Sequence, residues 1–423
     1  MFHRPFVVVV DPSAVRDILA SGKHKRCKTT CKHEGYIFGA RWQGSGLLTD
    51  YNEARLAQRL AIFEPVFHKD YLMACLPEMN KVAENVMRQF TFLADGKTLI
   101  SLSQQFERAI FDMLCKAFFN KDMDSITCQR DEVKQAAFTL LSSRRKEKSD
   151  PWTNVSFYRR DLRSSTRQAC ALLRKTGASW LAERENQVSR GNVPNDVLTR
   201  LIELSRVKGI VQDDVLDDFM VFMIATLEHT PNVLSFLVRE ACRRPDVYKK
   251  LNEEVDKVIT GSSVVDEKAL SDLSYMDSVL RETLRLYPSE VEIVRITSSK
   301  VLSKGCVIPS GTPVIVSPLL SGREESFFEN PMEFNPERFV KNGHSLPNSS
   351  VYFPYADEVR EKFHRFGEVA MKVLLSKMLQ KLTILVFPDQ TFGETNLPCL
   401  RPDRGGVVVF NSRFAPHKYI YDV

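Results

Sequence analysis

One tract in the middle of the chain, from about Asp213 to Arg243, limits what the rest can fold into. From Phe219 to Ala225 it is apolar without a break. A helix that is apolar on every side has to be covered on every side. At 1.5 Å per residue it would be about 45 Å long, enough to cross a whole domain. Its start is acidic (Asp213, Asp214, Asp217, Asp218) and its end basic (Arg239, Arg243, Arg244), as the two poles of a helix dipole favour. Pro245 closes it. Near its middle stand Glu228, His229, Thr230 and Pro231. Polar groups buried there are costly unless paired, which makes them candidates for function. Pro231 lacks a backbone donor and predicts a kink.

The chain that covers this helix has 43% hydrophobic and 26% charged residues, the balance of a globular protein and not of a disordered one. Further helical patterns run over Asn52–Phe67, Tyr71–Phe92, Leu102–Phe119, Ser156–Gln187 and Asn195–Val207. The last has Asn195 in the capping position before Val197, Leu198, Leu201 and Ile202. After about residue 290 the texture changes. Short β-like runs appear at Val291–Ile296 and Val314–Pro318, then a proline-bearing stretch at Asn330–Phe339. A loop from Val351 to Glu361, a helix to about Leu382 and strands such as Val407–Phe410 complete the chain. No internal repeat or low-complexity linker interrupts it. The expectation is a single, mainly α domain over 1–423 with small peripheral β-sheets.

A net charge of +6 is too mild to point to a nucleic-acid partner. The nine cysteines are odd in number and widely spaced, which reads as reduced thiols and not as a disulfide framework. The first apolar run, Phe6 to Val10, is of strand length, whereas a membrane span needs about 20 residues. It also lacks the three-part build of a signal peptide.

The chemistry is carried by three segments in order. Glu228-His-Thr230 on the central helix comes first. Glu282 and Arg285 follow at i, i+3 in Leu280-Arg-Glu-Thr-Leu-Arg-Leu-Tyr-Pro288, a spacing at which ion pairs form on one helix face. Arg338 comes last, in Phe334-Asn-Pro-Glu-Arg-Phe339. Alone, Glu-x-x-Arg is a solvated pair worth a few tenths of a kcal/mol, roughly. Followed about fifty residues later by Pro-Glu-Arg-Phe, it is far more specific.

On these segments the chain resembles the cytochrome P450 family, and within it the sterol hydroxylases. The likeness runs from Phe6 to Phe410 and includes Gly46–Asn52, Val215–Asn232, Arg285–Pro288, Asn335–Phe339, Tyr352–Tyr355, Met371–Val373 and Phe387–Gly393. It implies a haem-dependent monooxygenase that hydroxylates a sterol or another lipophilic small molecule. It further implies a monomer that takes electrons from NADPH-cytochrome P450 reductase at the cytoplasmic side of the endoplasmic reticulum membrane. The family's membrane anchor, hinge and first strand do not precede the match, so the expected form is truncated and peripheral or soluble. By the same likeness Glu282, Arg285 and Arg338 form a buried triad behind the haem. Arg295 and Arg360 would hold the haem propionates, with Arg59 as a third. Glu228 and Thr230 would be the proton-relay positions.

The chain departs from the family at the haem loop. Where the family has Phe-x-x-Gly-x-Arg-x-Cys-x-Gly, it reads Tyr355-Ala-Asp-Glu-Val-Arg-Glu-Lys-Phe-His364. Lys362 or Glu361 takes the cysteine position, according to the side from which the segment is aligned, and both glycines are gone. The thiolate pushes electron density onto iron and favours O–O cleavage; lysine and glutamate do not replace it. His364 is the substitute iron ligand the segment offers, or else a surface residue opening the next helix. On the central helix Thr226 replaces the family's glycine and Thr230 falls one place late. Function therefore divides three ways: the family's monooxygenase in impaired form, a pseudoenzyme or haem-free binder of lipophilic ligands, or a fragment of a decaying gene. Two further features read first as solvated surface. His24, Cys27, Cys31 and His33 have zinc-ligand chemistry without a standard spacing. Lys372, Lys377 and Lys381 lie where the family docks its reductase.

Overall fold

The computed structural model describes residues 5–413, apart from 21, 126–130, 151–158, 192, 261–263, 341–349, 356, 387–393, 396–399 and 403–405. The helix start expected at Ser156 and the stretch Phe387–Gly393 lie outside the described residues. The apolar tract forms one helix, Gln212–Cys242, which continues through Pro231. Two side chains bond back to carbonyls one turn earlier around the proline. Asn232 donates to the Glu228 carbonyl at 2.8 Å and Ser235 to that of Pro231 at 2.6 Å. By length and composition this helix could cross a bilayer, yet 89% of its most apolar window is buried inside the protein. It is a core helix, covered by Leu102–Phe119, Arg160–Ser189, Val197–Ser205, Ser274–Leu286 and Glu358–Lys381.

Its acidic start is captured rather than solvated. Asp217 is fully buried and accepts from Arg41 at 2.6 Å, Arg174 at 2.8 Å and the Ser45 backbone N–H at 2.8 Å. Asp218, also fully buried, accepts from the Leu47 N–H at 2.8 Å and lies 3.5 Å from Arg59. The helix beginning is thereby tied to the loop that precedes helix Glu53–Phe67.

The sheets are small and peripheral. One has four strands: Val7–Val9 pairs parallel with Pro313–Val316, which pairs antiparallel with Ile293–Ile296, which pairs antiparallel with Lys25–Arg26. Another joins Leu382–Val386, Val407–Ser412 and Ile100–Ser101. The architecture is α-rich with separate small sheets, as the family likeness implies.

Three local expectations are corrected. The pattern over Tyr71–Phe92 divides at Cys75 into Lys69–Ala74 and Leu76–Phe92, because Pro77 favours the first turn of a new helix. The cap of helix Val197–Ser205 is Asp196, whose carboxylate accepts from the Thr199 N–H at 3.0 Å, and not Asn195. The loop expected up to Glu361 ends four residues early: helix Glu358–Lys381 starts behind Asp357, which accepts from the Arg360 N–H at 3.1 Å. An aspartate cap followed by residues without glycine is a helix start, not a loop.

Glu282, Arg285 and Arg338 lie together. Arg285 donates to both Glu282 oxygens at 2.7 and 2.8 Å, and Arg338 donates to Glu282 at 3.3 Å. Both members of the first pair are buried completely. Arg285 also donates to the carbonyls of Gly322, Pro331 and Glu333, and Glu282 accepts from the Asn335 N–H at 2.8 Å. One ion pair thus stitches helix Ser274–Leu286 to the proline-bearing stretch. Replacing Glu282 by alanine strands a buried guanidinium, and the expected loss of stability is about 3–5 kcal/mol. A urea denaturation of E282A against the parent chain reads it directly.

Candidate functional site

The site the motifs point to lies where the middle of helix Gln212–Cys242 meets the start of helix Glu358–Lys381. Three contacts join the two helices. Phe222 and Phe363 have ring centroids 4.9 Å apart. His229 and His364 meet edge to face at 5.4 Å. At Gly367 a Cβ would fall 2.4 Å from the Thr230 hydroxyl, so only glycine admits this approach. Around Phe222 the aromatic packing continues through Phe63, Phe67 and Phe118, and Phe118 stacks on to Phe366 at 4.6 Å.

His364 is buried, 6% exposed, between His229 and Tyr355, whose ring stacks on it at 4.6 Å. The reading of His364 as a surface residue is thereby corrected. It faces inward because the helix starts at Glu358 and turns position 364 towards the central helix. Burial, helped by His229 and Arg360, holds its imidazole well below the ordinary range. Lys362, at the family's cysteine position, reaches outward to Glu64 at 3.0 Å. Glu361, the alternative, pairs with Arg365 at 3.0 Å.

Glu228 and Thr230 leave the central helix in different directions. Glu228 turns towards Arg144 at 3.6 Å, which in turn lies over the Trp42 ring. Thr230 turns towards Gly367.

Beside the helix contact sits a buried ionic cluster drawn from distant parts of the chain. Asp357 accepts from Arg295 at 2.9 Å and from Arg360 at 2.9 Å, with Arg26 at 3.6 Å. Arg360 donates to Glu290 at 2.9 Å and lies 3.7 Å from Glu34. Glu290 has His229 at 3.5 Å, and Glu34 has Arg144 and Lys148 at 3.8 Å each. Burial pushes the Asp357 carboxyl up, but Arg360, Arg26 and Arg295 outweigh it and hold the group far below the ordinary range. Burial likewise pushes Glu34 up, and Arg144, Arg360 and Lys148 bring it below its usual value. Cys31 feels Arg26, Arg360 and Arg295, yet burial prevails and drives its thiol up to about 11. It is a thiol, not a thiolate, at neutral pH. Arg26, Glu34 and Glu290 carried no sequence signal of a role here; a site gathered from loops far apart leaves none.

Arg295 and Arg360 therefore converge, as the family likeness implies, but on carboxylates of the chain itself. Arg59 belongs to a separate cluster: it donates to the Ser45 carbonyl and pairs with Asp218. These residues do not fit a haem held in the family's manner. The space between the two helices is filled by side-chain contacts, Arg295 and Arg360 are engaged by Asp357 and Glu290, and Lys362 and Glu361 are paired elsewhere. Among the described residues no group of three or more histidine, cysteine or acidic side chains can hold a metal. His24 accepts from the Ser298 N–H at 3.1 Å through Nδ1. Lys372, Lys377 and Lys381 are not a solvated face: Lys372 pairs with Asp277, while Lys377, fully buried, and Lys381 share Glu84 at 2.6 Å each.

The family model described as Cytochrome P450 matches residues 1–408. Among similar proteins, Cytochrome P450 3A25 of Mus musculus is 23% identical over 418 residues, covering 93% of this chain and 79% of its own. Cytochrome P450 3A13 of Mus musculus is 25% identical, covering 94% and 79%. Cytochrome P450 3A12 of Canis lupus familiaris is 24% identical, covering 96% and 81%.

Two buried aspartates give opposite pH signatures. The folded Asp357 lies far below the value of 3.8 it has when unfolded, so its contribution is full above about pH 5 and is lost progressively as pH falls below 3.8 towards the depressed folded value. Burial raises Asp218 to about 7 against the pull of Arg59 and the Leu47 N–H. There the folded state holds the extra proton, so stability is greatest below 3.8 and declines as pH rises towards 7. Unfolding midpoints measured from pH 3 to 8 should show Asp357→Asn flattening the acid limb and Asp218→Asn removing the decline between about 4 and 7.

Proposed function

Because this chain belongs to the cytochrome P450 family, whose members are haem monooxygenases, we propose that it is a haem-free member, a pseudoenzyme that keeps the fold without the thiolate–haem reaction. One observation carries the reading: Phe363 and His364 pack directly on Phe222 and His229, closing the contact between the two helices. The sequence adds to it, since no cysteine occurs between Cys306 and Cys399. Without a thiolate there is no electron push for O–O cleavage. Lys372, Lys377 and Lys381 are each paired with an acidic side chain of the chain itself, which also supports the reading. Such a protein would act through the shape of the fold, with a lipophilic small molecule as the class of ligand the ancestry favours.

The second reading is an impaired monooxygenase of the cholesterol 24-hydroxylase type, acting on a sterol-like substrate at the endoplasmic reticulum membrane. The joined Glu282, Arg285 and Arg338 and the convergence of Arg295 with Arg360 favour it.

A reduced, carbon monoxide-bound absorbance spectrum of the protein purified after incubation with haem separates the two. The expected result is no haem retained through gel filtration and no red-shifted thiolate band. A thiolate band would overturn the proposal in favour of the second reading. Haem retained without that band would also overturn it, and would make a nitrogen ligand such as His364 the next residue to replace.

A further inference from the structure

The pairing of two short strands sets up an electrostatic problem that another part of the chain solves. In the four-stranded sheet Arg26 stands directly opposite Arg295, and like charges directly opposite one another on neighbouring strands are destabilising. Arg360 adds a third guanidinium from the first turn of helix Glu358–Lys381. All three are at most partly exposed, with side chains 9%, 11% and 16% accessible, so water screens them little. Three cations gathered in this way form an anion-binding cage.

We infer that the cage is a carboxylate site and that Asp357 is its built-in ligand, in place of an anionic group from outside the chain. The oxygen Asp357 Oδ2 alone meets Arg295 at 2.9 Å, Arg360 at 2.9 Å and Arg26 at 3.6 Å. The other oxygen, Oδ1, accepts the Arg360 backbone N–H at 3.1 Å and caps the helix. One carboxylate thus serves the cage with one oxygen and the helix start with the other. Arg26 is held from behind by the carbonyls of Leu47, Leu48 and Asp50 at 3.0–3.4 Å, so its position does not depend on the anion. Arg360 is likewise held by Glu290 at 2.9 Å. The arginines are preorganised and the ligand is the replaceable part.

This inference rests on the haem-free reading, and its test is separate. The full chain carrying Asp357→Ala loses both the cage anion and the cap; with Asp357→Asn the cap oxygen and the shape remain and only the charge goes. Urea midpoints at pH 7 are compared in sodium acetate, in sodium chloride of equal ionic strength, and in chloride with added acetamide. The expected outcome is a lower midpoint for both variants, with D357A recovering most of its loss in acetate but not in acetamide. The parent chain should gain nothing from acetate over chloride. An unchanged midpoint for D357N, or an acetate effect on D357A no larger than that of acetamide, would overturn the inference. Should D357A not accumulate as folded protein, the D357N midpoint decides alone. Haem uptake by the parent chain would sink the haem-free reading and this inference with it; no haem and no acetate effect would sink this inference only.

Discussion

Burial of the Gln212–Cys242 helix from Val215 onward is the constraint from which the architecture follows. A helix apolar on every side cannot lie on a surface, so the helices around it are placed by the need to cover it. Its polar groups then have to be met from the surrounding elements, because a charge taken from water without a partner is far more costly than any single contact is worth. Asp217 and Asp218 at its start draw in Arg41, Arg174 and Arg59. Arg239 near its end pairs with Glu240 and donates to Tyr287 at 2.7 Å, which fastens helix Ser274–Leu286 to it. Apolar coverage sets which elements are neighbours, and the buried charges set their register.

Two electrostatic knots then do different work. Around Glu282 the partners are backbone carbonyls and N–H groups as much as arginines, so the knot fixes the path of the chain from Gly322 to Asn335. Around Asp357 the partners are side chains from a strand near the N-terminus, a strand past residue 290 and the last long helix. The first is a joint within one region; the second is a clamp across the fold. A clamp of this kind needs an anion, and nothing in its geometry requires that the anion be covalently part of the chain.

How much of this the sequence disclosed depends on distance along the chain. Glu282 and Arg285 lie one turn apart, so helical periodicity alone put them on one face, and the motif around Arg338 pointed to the third member. The central helix was legible because its apolar run and its charged ends are local features. Asp357 was legible only in part: Arg360 lies one turn on, as Arg285 does from Glu282, but Arg26 and Arg295 come from positions that no periodicity connects to it. His364 was read as surface because the turn of the helix that buries it depends on where that helix begins. The segment expected as the family's loop is instead a helix start, capped by Asp357. Lys377 was read as a solvated lysine, since Glu84, which pairs with it, lies almost three hundred residues earlier.

A fold that evolved around a large flat prosthetic group must meet two conditions to persist without it. The volume has to be filled, because an apolar void costs about 24 cal/mol for each Å³ that does not collapse. The charge has to be balanced, because buried arginines left without anions cost several kcal/mol each, roughly. Phe363 against Phe222 and Phe67, and His364 against His229 and Tyr355, meet the first condition. Asp357, with Glu290 and Glu34, meets the second. Phe363, His364 and Asp357 all belong to the segment that replaces the family's haem loop. A capped helix that supplies aromatic volume on one face and a counterion at its end is what the proposed haem-free reading requires at that position.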